Sequence, residues 1–496
     1  MIETYEKYTK EEFITEVITL KEQLSEQLFT NEQLKAELTQ IKKLIYGSKS
    51  ERFVPAVNAQ QTVLDLDIPS DKIEVKQQCI SYIRRQGKKK TPVSTGRMPL
   101  PSNLSRVEII IEPEQDVTDC VKIGEEVTEE LELEPARLYV NKYIRPKYAK
   151  ANGEGIVIGQ LPSRPIDRGI PGPGFLATII TDKYLDHLPL YRQMKRYERM
   201  GVKLNDSTFS EWVQAAANLL QPLYDELKKQ VLTEHYLQAD ETPIKVLDPT
   251  KKGTTHRGYY WVYHSPHKKL VLFDYRQGRG RDGPIEILKD YKGFLQTDGY
   301  GVYDVFDKNG IVQTNCWAHA RRVFDEALIN DKERSEFALI KIQQLYQIER
   351  HAREQNFSHE QRYRLRQEKS LPVLSELQHW IKDTITQVLP KSLIGKAIAY
   401  TAVRWEKLYR YTQNGILEID NNLVENAIRP VALGRKNYLF AGSHQAAQRA
   451  GMIYSLLASC KNNDIEPNAW LKNILQILPD HKANRLHELL PSCNLG

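Results

Sequence analysis

The chain has 496 residues, of which 41% are hydrophobic and 27% are charged, so we expect a globular protein of several domains. Its net charge of +6 is compatible with an anionic partner but does not identify one. The cysteines are scattered and form no Cys-x-x-Cys pair, so we expect no disulfide framework. The N-terminus is too charged for a signal peptide, and no apolar run approaches the ~20 residues of a membrane span. We therefore expect a cytoplasmic location.

The N-terminal segment, residues 1–54, has a heptad pattern. Apolar residues recur at spacings of four and three over about four repeats, and Asn31 occupies an a-type position. This pattern predicts a coiled coil that joins two copies of the chain. The alternative is an amphipathic helix that packs on its own domain.

Residues 55–106 are predicted to be a linker followed by a basic arm. Lys88, Lys89 and Lys90 lie among other cations, with almost no acids and with Gly and Pro between them. Such an arm can lie along DNA phosphates and gain affinity by counterion release, and a solvated linker is the alternative. The next segment, residues 107–165, alternates as strands do and predicts a small β-rich module.

Residues 166–233 are predicted to be helical. A first helix with an apolar face ends near Gly201, and Asp206 or Ser207 can cap a second helix. This arrangement is typical of a helix-turn-helix that binds DNA, and a plain helical hairpin is the alternative. The cations expected to contact DNA are Arg192, Lys195, Arg196 and Arg199.

Residues 234–330 are predicted to form the first part of a catalytic core. Three strands, a helix, a strand, a helix, a strand and a helix follow one another, which is the order of a ribonuclease-H-like fold. Asp240 and Asp298 each follow a short apolar run, so each is expected at the end of a buried strand. The first and fourth strands are neighbours in this fold, which would place the two acids side by side.

Glu241 competes with Asp240 for the site. Successive strand residues point to opposite faces, so only one of the two can face it. Asp240 is the better candidate because its apolar lead-in and following turn resemble those of Asp298.

The rest of the chain is mainly helix-patterned. We expect an all-helical insertion over 331–413, the second part of the core over 414–445 and a helical C-terminal region over 446–496. In the core, Asp420 or Asn421 can cap a helix. Glu425 and Arg429 stand one turn apart on its face.

Three carboxylates from separate segments suit metal chemistry. If Asp240, Asp298 and Glu425 converge at one sheet edge, they can hold two Mg²⁺ or Mn²⁺ ions, because all-oxygen ligation suits hard cations. Two such ions can activate water and stabilise the leaving oxygen of a phosphodiester. A single acid would more often be a solvated strand end, and the repeated setting favours a site.

Several residues are candidates for supporting roles. Cys316 and His319 share a face at the start of a helix; half of a metal site, an active-site or phosphate role for His319, and a buried structural role all remain open. Arg429 can orient Glu425 or bind a phosphate. The cations expected at the DNA backbone here are Arg321, Arg322, Arg435 and Lys436.

Nearly the whole chain resembles the transposases of the insertion-sequence-66 family of bacterial mobile elements. The motifs that carry the resemblance include LIYGSKSERF, LQADETPIKVLDP, LQTDGYGVYD, CWAHARRVF and IDNNLVENAIRPVALGRKNYLFAGS. The resemblance implies a DDE recombinase with Asp240, Asp298 and Glu425 at the catalytic positions and a helical insertion before the Glu. Family members commonly carry a zinc-binding module near residues 115–155, but here only Cys120 remains, so zinc is not expected.

The sequence therefore predicts a multidomain α+β transposase that cleaves DNA at element ends and joins the freed 3′-hydroxyl to target DNA. The expected partners are the terminal inverted repeats, target DNA, a second copy of the chain and accessory proteins of the same element. The alternative is a DNA-end-binding protein of a decayed element, whose signature would be the loss of one of the three acids. A glycosidase with paired carboxylates gains nothing from the basic arm.

Overall fold

The structure is a computed structural model. It describes residues 137–149, 156–158, 160–167, 169–248, 253–308 and 310–491. The predicted coiled coil, the linker, the basic arm with Lys88, Lys89 and Lys90, and most of the β-rich module lie outside these residues. The chain divides into two compact units, Met1–Asn141 and Lys142–Gly496, and the elements below belong to the second.

A short antiparallel ribbon is the described part of the predicted β-rich module. Strand β1 (Lys147–Ala149) pairs with β2 (Ile156–Ile158). The larger part of the unit is built on a five-stranded sheet. Its strands are β3 (Tyr236–Leu247), β4 (Thr255–Ser265), β5 (Leu270–Arg276), β6 (Gly293–Thr297) and β7 (Ile311–Asn315).

The order of the strands across this sheet is β5-β4-β3-β6-β7. The first three strands form an antiparallel meander, whereas β6 pairs parallel to β3 and to β7. The connection from β5 to β6 passes through helix α4 (Asp282–Leu288), because a parallel strand needs a crossover. The prediction that the first and fourth strands are neighbours is confirmed.

Three helices precede the sheet, and the longest differs from the prediction. They are α1 (Pro173–Tyr184), α2 (Leu190–Arg199) and α3 (Asp206–Leu232). The helix predicted after Gly201 is α3, which is 27 residues long. Its N-cap is Asn205, so the prediction that Asp206 or Ser207 caps it is wrong; both lie inside its first turn. Gly201, with φ of 86°, does separate α2 from α3, as predicted.

The insertion predicted over 331–413 consists of helices, as expected. After α5 (Trp317–Ala327), it contains α6 (Lys332–Glu354), α7 (His359–Leu365), α8 (Leu371–Thr384), α9 (Leu393–Val403) and α10 (Trp405–Tyr409). Its interior includes a fully buried ion pair, in which the Arg366 guanidinium donates to both oxygens of Glu349 over 2.7 and 2.8 Å. The insertion therefore has a core of its own.

Three helices complete the unit: α11 (Asn422–Tyr438), α12 (His444–Asn462) and α13 (Pro467–Ile477). Helix α12 covers the outer edge of the sheet, where Val271 N and Phe273 N of β5 donate to Ser459 and Ser455 over 2.9 and 2.8 Å. These hydroxyls accept the backbone donors that a sixth strand would otherwise bind. Among the described helices, none is both long and apolar enough to span a membrane.

Candidate active site

The first two acids lie on neighbouring strands at the same level. The last parallel pair between β3 and β6 is Gln238↔Gln296, and Asp240 and Asp298 each lie two residues beyond it. Adjacent strands are about 4.8 Å apart, so the two backbones are close here. Asp298 directly follows β6, as predicted. The expectation that Asp240 ends its strand is wrong, because β3 leaves β6 at this point but continues to pair with β4 as far as Leu247.

Two fully buried glutamines connect these strands to the loop before the third acid. Gln238 Nε2 donates to Gln296 Oε1 over 3.0 Å and to the Asp420 carbonyl over 2.9 Å. Gln296 Nε2 donates to the Glu418 carbonyl over 2.9 Å, and Val424 N donates to Gln238 Oε1 over 3.3 Å. This buried network fixes β3, β6 and the start of α11 relative to one another.

The third acid, Glu425, lies in the first turn of α11. A helix N-terminus favours a carboxylate because its free N–H groups carry partial positive charge. The N-cap is Asn421, but its side chain makes no capping bond; instead Asp420 Oδ1 accepts from Asn422 N over 3.2 Å. The prediction of a cap by Asp420 or Asn421 is therefore only partly correct.

His319 lies beside the third acid. His319 is in the first turn of α5, and its Nε2 is 3.9 Å from Glu425 Oε1. Cys316 is buried at the N-cap of the same helix, and its Sγ accepts from Asn421 N over 3.4 Å. Burial raises the pKa of the Cys316 thiol. The structure therefore gives Cys316 a packing position and brings only His319 to the acids.

Asp240 is affected electrostatically by the other two acids. Burial raises the pKa of Asp240 to about 8, and the neighbouring carboxylates of Glu241, Asp298 and Glu425 add to the rise. Such a cluster is relieved by positive charge, and its all-oxygen donors suit a hard divalent cation. Within the described ranges, however, no three His, Cys, Asp or Glu side chains are gathered closely enough to form a finished metal site.

Glu241 occupies a different environment from Asp240. Its side chain is only 4% exposed and is ion-paired with Arg279, whose Nε donates to Glu241 Oε1 over 2.9 Å. Burial raises the pKa of Glu241, and Arg279 opposes that rise. The Arg279 guanidinium also lies 4.1 Å from the centre of the Tyr300 ring. Arg279 was not among the predicted site residues; its signal in the sequence is an arginine in a Gly-rich loop, RQGRGRDGP, after a core strand.

The helical insertion contacts the turn that carries Asp298. Tyr400 on α9 donates its hydroxyl to the Asp298 carbonyl over 2.8 Å, and Arg404 donates to the Gly299 carbonyl over 3.1 Å. Gly299 has φ of 87°, and a Cβ there would collide with the Arg404 side chain. These two side chains were also missed, because nothing local in the sequence connects α9 to a turn about a hundred residues earlier.

The cations predicted on α2 are mostly engaged within the protein. Arg196 is ion-paired with Asp182, and Lys195 is 2.8 Å from Glu198. Arg192 donates to the Tyr191 hydroxyl over 3.0 Å, and Arg199 is exposed.

The following helix, α3, packs its inner face against α1. Its N-terminal half buries Phe209 and Trp212, whose rings lie 6.3 and 6.1 Å from Phe175 of α1. A helix-turn-helix and a plain helical hairpin share such inner-face contacts, so DNA binding by this region stays a prediction.

The cations predicted on α5 and α11 lie on the two helices that carry His319 and Glu425. Arg321, Arg322, Arg429 and Lys436 are exposed. Arg435 is half-buried and donates to the Pro243 carbonyl of β3, so it joins α11 to the sheet.

Family models match most of the chain. The model described as "Transposase IS66 family" matches residues 168–449, and "IS66 C-terminal element" matches 455–492. Towards the N-terminus, "Transposase C of IS166 homeodomain" matches 33–109 and "zinc-finger binding domain of transposase IS66" matches 117–149. Within 117–149 the sequence has Cys120 but no other cysteine and no histidine.

Full-length relatives are found in Sinorhizobium fredii. The chain is 32% identical to "Uncharacterized protein y4jD", over 95% of both chains. It is 33% identical to "Uncharacterized protein y4qI", over 93% of this chain and 89% of the relative. It is 31% identical to "Uncharacterized protein y4hP", over 92% of this chain and 88% of the relative.

Proposed function

The chain belongs to the transposase IS66 family, and from this premise we propose that it is a DDE-type transposase that cuts the ends of a mobile element and joins them to target DNA. The observation that supports the proposal is that Asp240 and Asp298 lie at the same level beyond the last β3–β6 pair, where the carboxylates of Asp298 and Glu425 both act on Asp240. The strand order β5-β4-β3-β6-β7 supports a ribonuclease-H-like core, in which such acids occupy neighbouring strands.

Asp240, Asp298 and Glu425 are the residues that would hold divalent cations, which when bound supply activation of water and stabilisation of the leaving oxygen. Asp240 and Asp298 each lie two residues beyond the last pair of the β3–β6 ladder, which keeps the two backbones near each other. Glu425 adds a third carboxylate from a helix N-terminus, which favours its charged form. Mg²⁺ is the ion that we expect, with Mn²⁺ as a substitute.

The chain's own residues position these acids. Gln238 and Gln296 fix the two strands, and Tyr400 and Arg404 hold the turn after β6. His319 is close enough to Glu425 to orient it, and a cation–carboxylate contact there would strengthen as the imidazole gains a proton.

DNA is the substrate that the charge distribution favours. Arg321, Arg322, Arg429 and Lys436 are exposed on the helices that bear His319 and Glu425, so they can neutralise phosphates beside the acids. We further propose that residues 1–54 join two copies as a coiled coil, which would hold two element ends together, and that the β-rich module works without zinc. Accessory proteins of the same element are also expected partners.

The test is strand cleavage of a duplex that bears the inverted repeat flanking the gene, with Mg²⁺ present. Asp240→Asn, Asp298→Asn and Glu425→Gln should bind this duplex as the wild type does but should not cut it. Asp304→Asn is the matched control, because Asp304 is an exposed acid that pairs with Lys407 outside the cluster, and it should cut normally.

Each outcome decides a separate question. Normal cleavage by one of the three acid variants would remove that residue from the site. A wild-type protein that binds the inverted repeat tightly but never cuts it, with Mg²⁺ or Mn²⁺, would instead identify an end-binding protein of a decayed element.

A further inference from the structure

The C-terminal end of the Glu425 helix carries an exposed apolar tip. The side chains of Leu439 and Phe440, which directly follow α11, are 62% and 41% exposed. Leu439 has φ of 54° and ψ of −43°, and Phe440 N donates to the Tyr438 carbonyl, so Leu439 is the central residue of a tight γ-turn, which is a rare and strained conformation. Single exposed apolar residues are ordinary, but a strained backbone that presents two of them in succession calls for a function.

The tip is held firmly to the sheet. Ala441, the next residue, donates its N–H to the Lys245 carbonyl over 2.8 Å and accepts from Leu247 N over 2.9 Å. On the other side, the Tyr438 hydroxyl is hydrogen-bonded to the Tyr454 hydroxyl of α12. The chain is therefore fixed on both sides of Leu439 and Phe440, so the tip is presented rigidly.

Cations surround this tip. Lys245, whose carbonyl binds Ala441, stands directly opposite Arg257 in the β3–β4 ladder, and both side chains are exposed. Two like charges at directly opposite positions repel each other unless an anion lies between or above them. Lys436 adds an exposed cation on α11, four residues before Phe440. The surface therefore combines positive charge with a protruding apolar wedge.

We propose that the Leu439–Phe440 tip inserts between base pairs of bound duplex DNA and kinks it, while Lys245, Arg257 and Lys436 hold the flanking phosphates. Apolar wedges that enter the base stack beside basic side chains are a known way to kink DNA. The proposal rests on the proposed function, since it assumes that the acids act on DNA.

DNA suits this surface better than a second copy of the chain does. Two protruding residues offer far less than the about 800 Å² per partner of a stable protein interface. Repelling cations would also face each other across such a symmetric contact, whereas phosphates relieve the repulsion between Lys245 and Arg257.

The helix sets where the kink falls. Leu439 follows Glu425 by fourteen residues along α11, which corresponds to about 21 Å of helix axis. Duplex DNA advances about 3.4 Å per base pair, so this length matches about six base pairs. A duplex that runs along α11 would be unstacked about six base pairs from the phosphodiester beside Glu425.

The test uses 2-aminopurine, whose fluorescence rises when it is unstacked, at each of the terminal positions of the inverted-repeat duplex. We expect wild-type protein to raise the fluorescence most near the sixth position and Phe440→Ala to raise it at none. Ile340→Ala is the matched control, because Ile340 is 55% exposed on α6, and it should behave as the wild type does.

A second duplex makes the mechanism specific. A mismatch at the unstacked step removes much of the unstacking cost, so wild-type protein should bind the mismatched duplex about tenfold more tightly than the paired one. Phe440→Ala should bind both duplexes about equally, because it does no unstacking. Leu439→Gly excludes misfolding as a cause: glycine adopts positive φ without a Cβ clash, so this variant should melt no earlier than the wild type and still lose part of the fluorescence rise.

Three results would overturn the proposal: no fluorescence rise with wild-type protein, the same rise with Phe440→Ala, or a change in the sedimenting mass of DNA-free Phe440→Ala, which would make the tip a protein interface. Cleavage is measured separately on the same duplexes. A fluorescence rise without cleavage would refute the proposed catalysis and leave the proposed wedge standing. Cleavage without any fluorescence rise would refute the wedge and leave the proposed catalysis standing.

Discussion

Replacement of Gln238 by leucine tests the buried network that positions the three acids. Leucine has a similar volume but cannot make the hydrogen bonds of Gln238 to Tyr236, Gln296 and the backbone of Asp420 and Val424. Each such bond contributes about 1 kcal/mol, and a buried group left without its partner costs about 1–3 kcal/mol. Because the remaining groups can satisfy one another only in part, we expect Gln238→Leu to lower the free energy of unfolding by about 3–5 kcal/mol.

The network also predicts an effect on function beyond stability. The start of α11 would no longer be tied to β3, and a misplacement of Glu425 by about 1 Å can slow catalysis about 10²-fold. Mg²⁺ binding, measured by calorimetry on the folded variant, should weaken in parallel. Urea unfolding gives the stability, and cleavage per folded molecule at low temperature gives the activity.

Gln313→Leu is the matched control for this prediction. Gln313 is also a buried glutamine, one strand further on β7, but it bonds to Tyr303 and Lys407 rather than to the loop before α11. It should lose stability while its folded fraction keeps normal Mg²⁺ affinity and cleavage. If Gln238→Leu lowers the free energy of unfolding by less than about 1 kcal/mol, or if both variants lose cleavage activity equally, the network does not position the acids.

Two further predictions concern the sheet and the insertion. Burial lowers the pKa of His264 to about 4, so this imidazole binds a proton less readily in the folded state than in the unfolded state. The free energy of unfolding is therefore highest above about pH 6.5, and it falls by up to about 3 kcal/mol as the pH drops towards 4. Urea titrations should show this loss in the wild type and a smaller one in His264→Gln, and equal losses would contradict the assignment. Tyr400→Phe removes the hydrogen bond to the Asp298 carbonyl, so it should lower the free energy of unfolding by about 1 kcal/mol. It should also slow cleavage without weakening DNA binding. Unchanged cleavage would mean that α9 supports the fold but not the site.

Local patterns predicted the parts of the fold that depend on chain order. The sequence of strands and helices predicted that β3 and β6 would be neighbours, and the apolar lead-in to Asp298 predicted a strand end. The helical insertion was predicted from its periodicity alone. The strand end and the helices are set by residues close together in the sequence, whereas the pairing of β3 with β6 was predicted from the order of the elements.

The features that were not predicted depend on distant partners. Asp240 lies within a strand because β4 continues to pair with β3 after β6 has ended, and only the ladder shows this. Tyr400 reaches Asp298 across 102 residues, and no periodicity connects them. Arg279 lies in a Gly-rich loop, and its pairing with Glu241, 38 residues earlier, depends on how this loop folds back towards β3.

The hydroxyls of Ser455 and Ser459, which cover β5, have a consequence for folding during synthesis of the chain. They are 182 and 188 residues later in the chain than the backbone groups they bind. At about 5–20 residues per second, a ribosome needs about 10–40 s to synthesise that stretch. Throughout this interval, the nascent sheet has an open edge that can pair with another chain. The edge of the five-stranded sheet can be covered only after α12 has been synthesised, so a product truncated before α12 would leave this edge open and would be prone to aggregate.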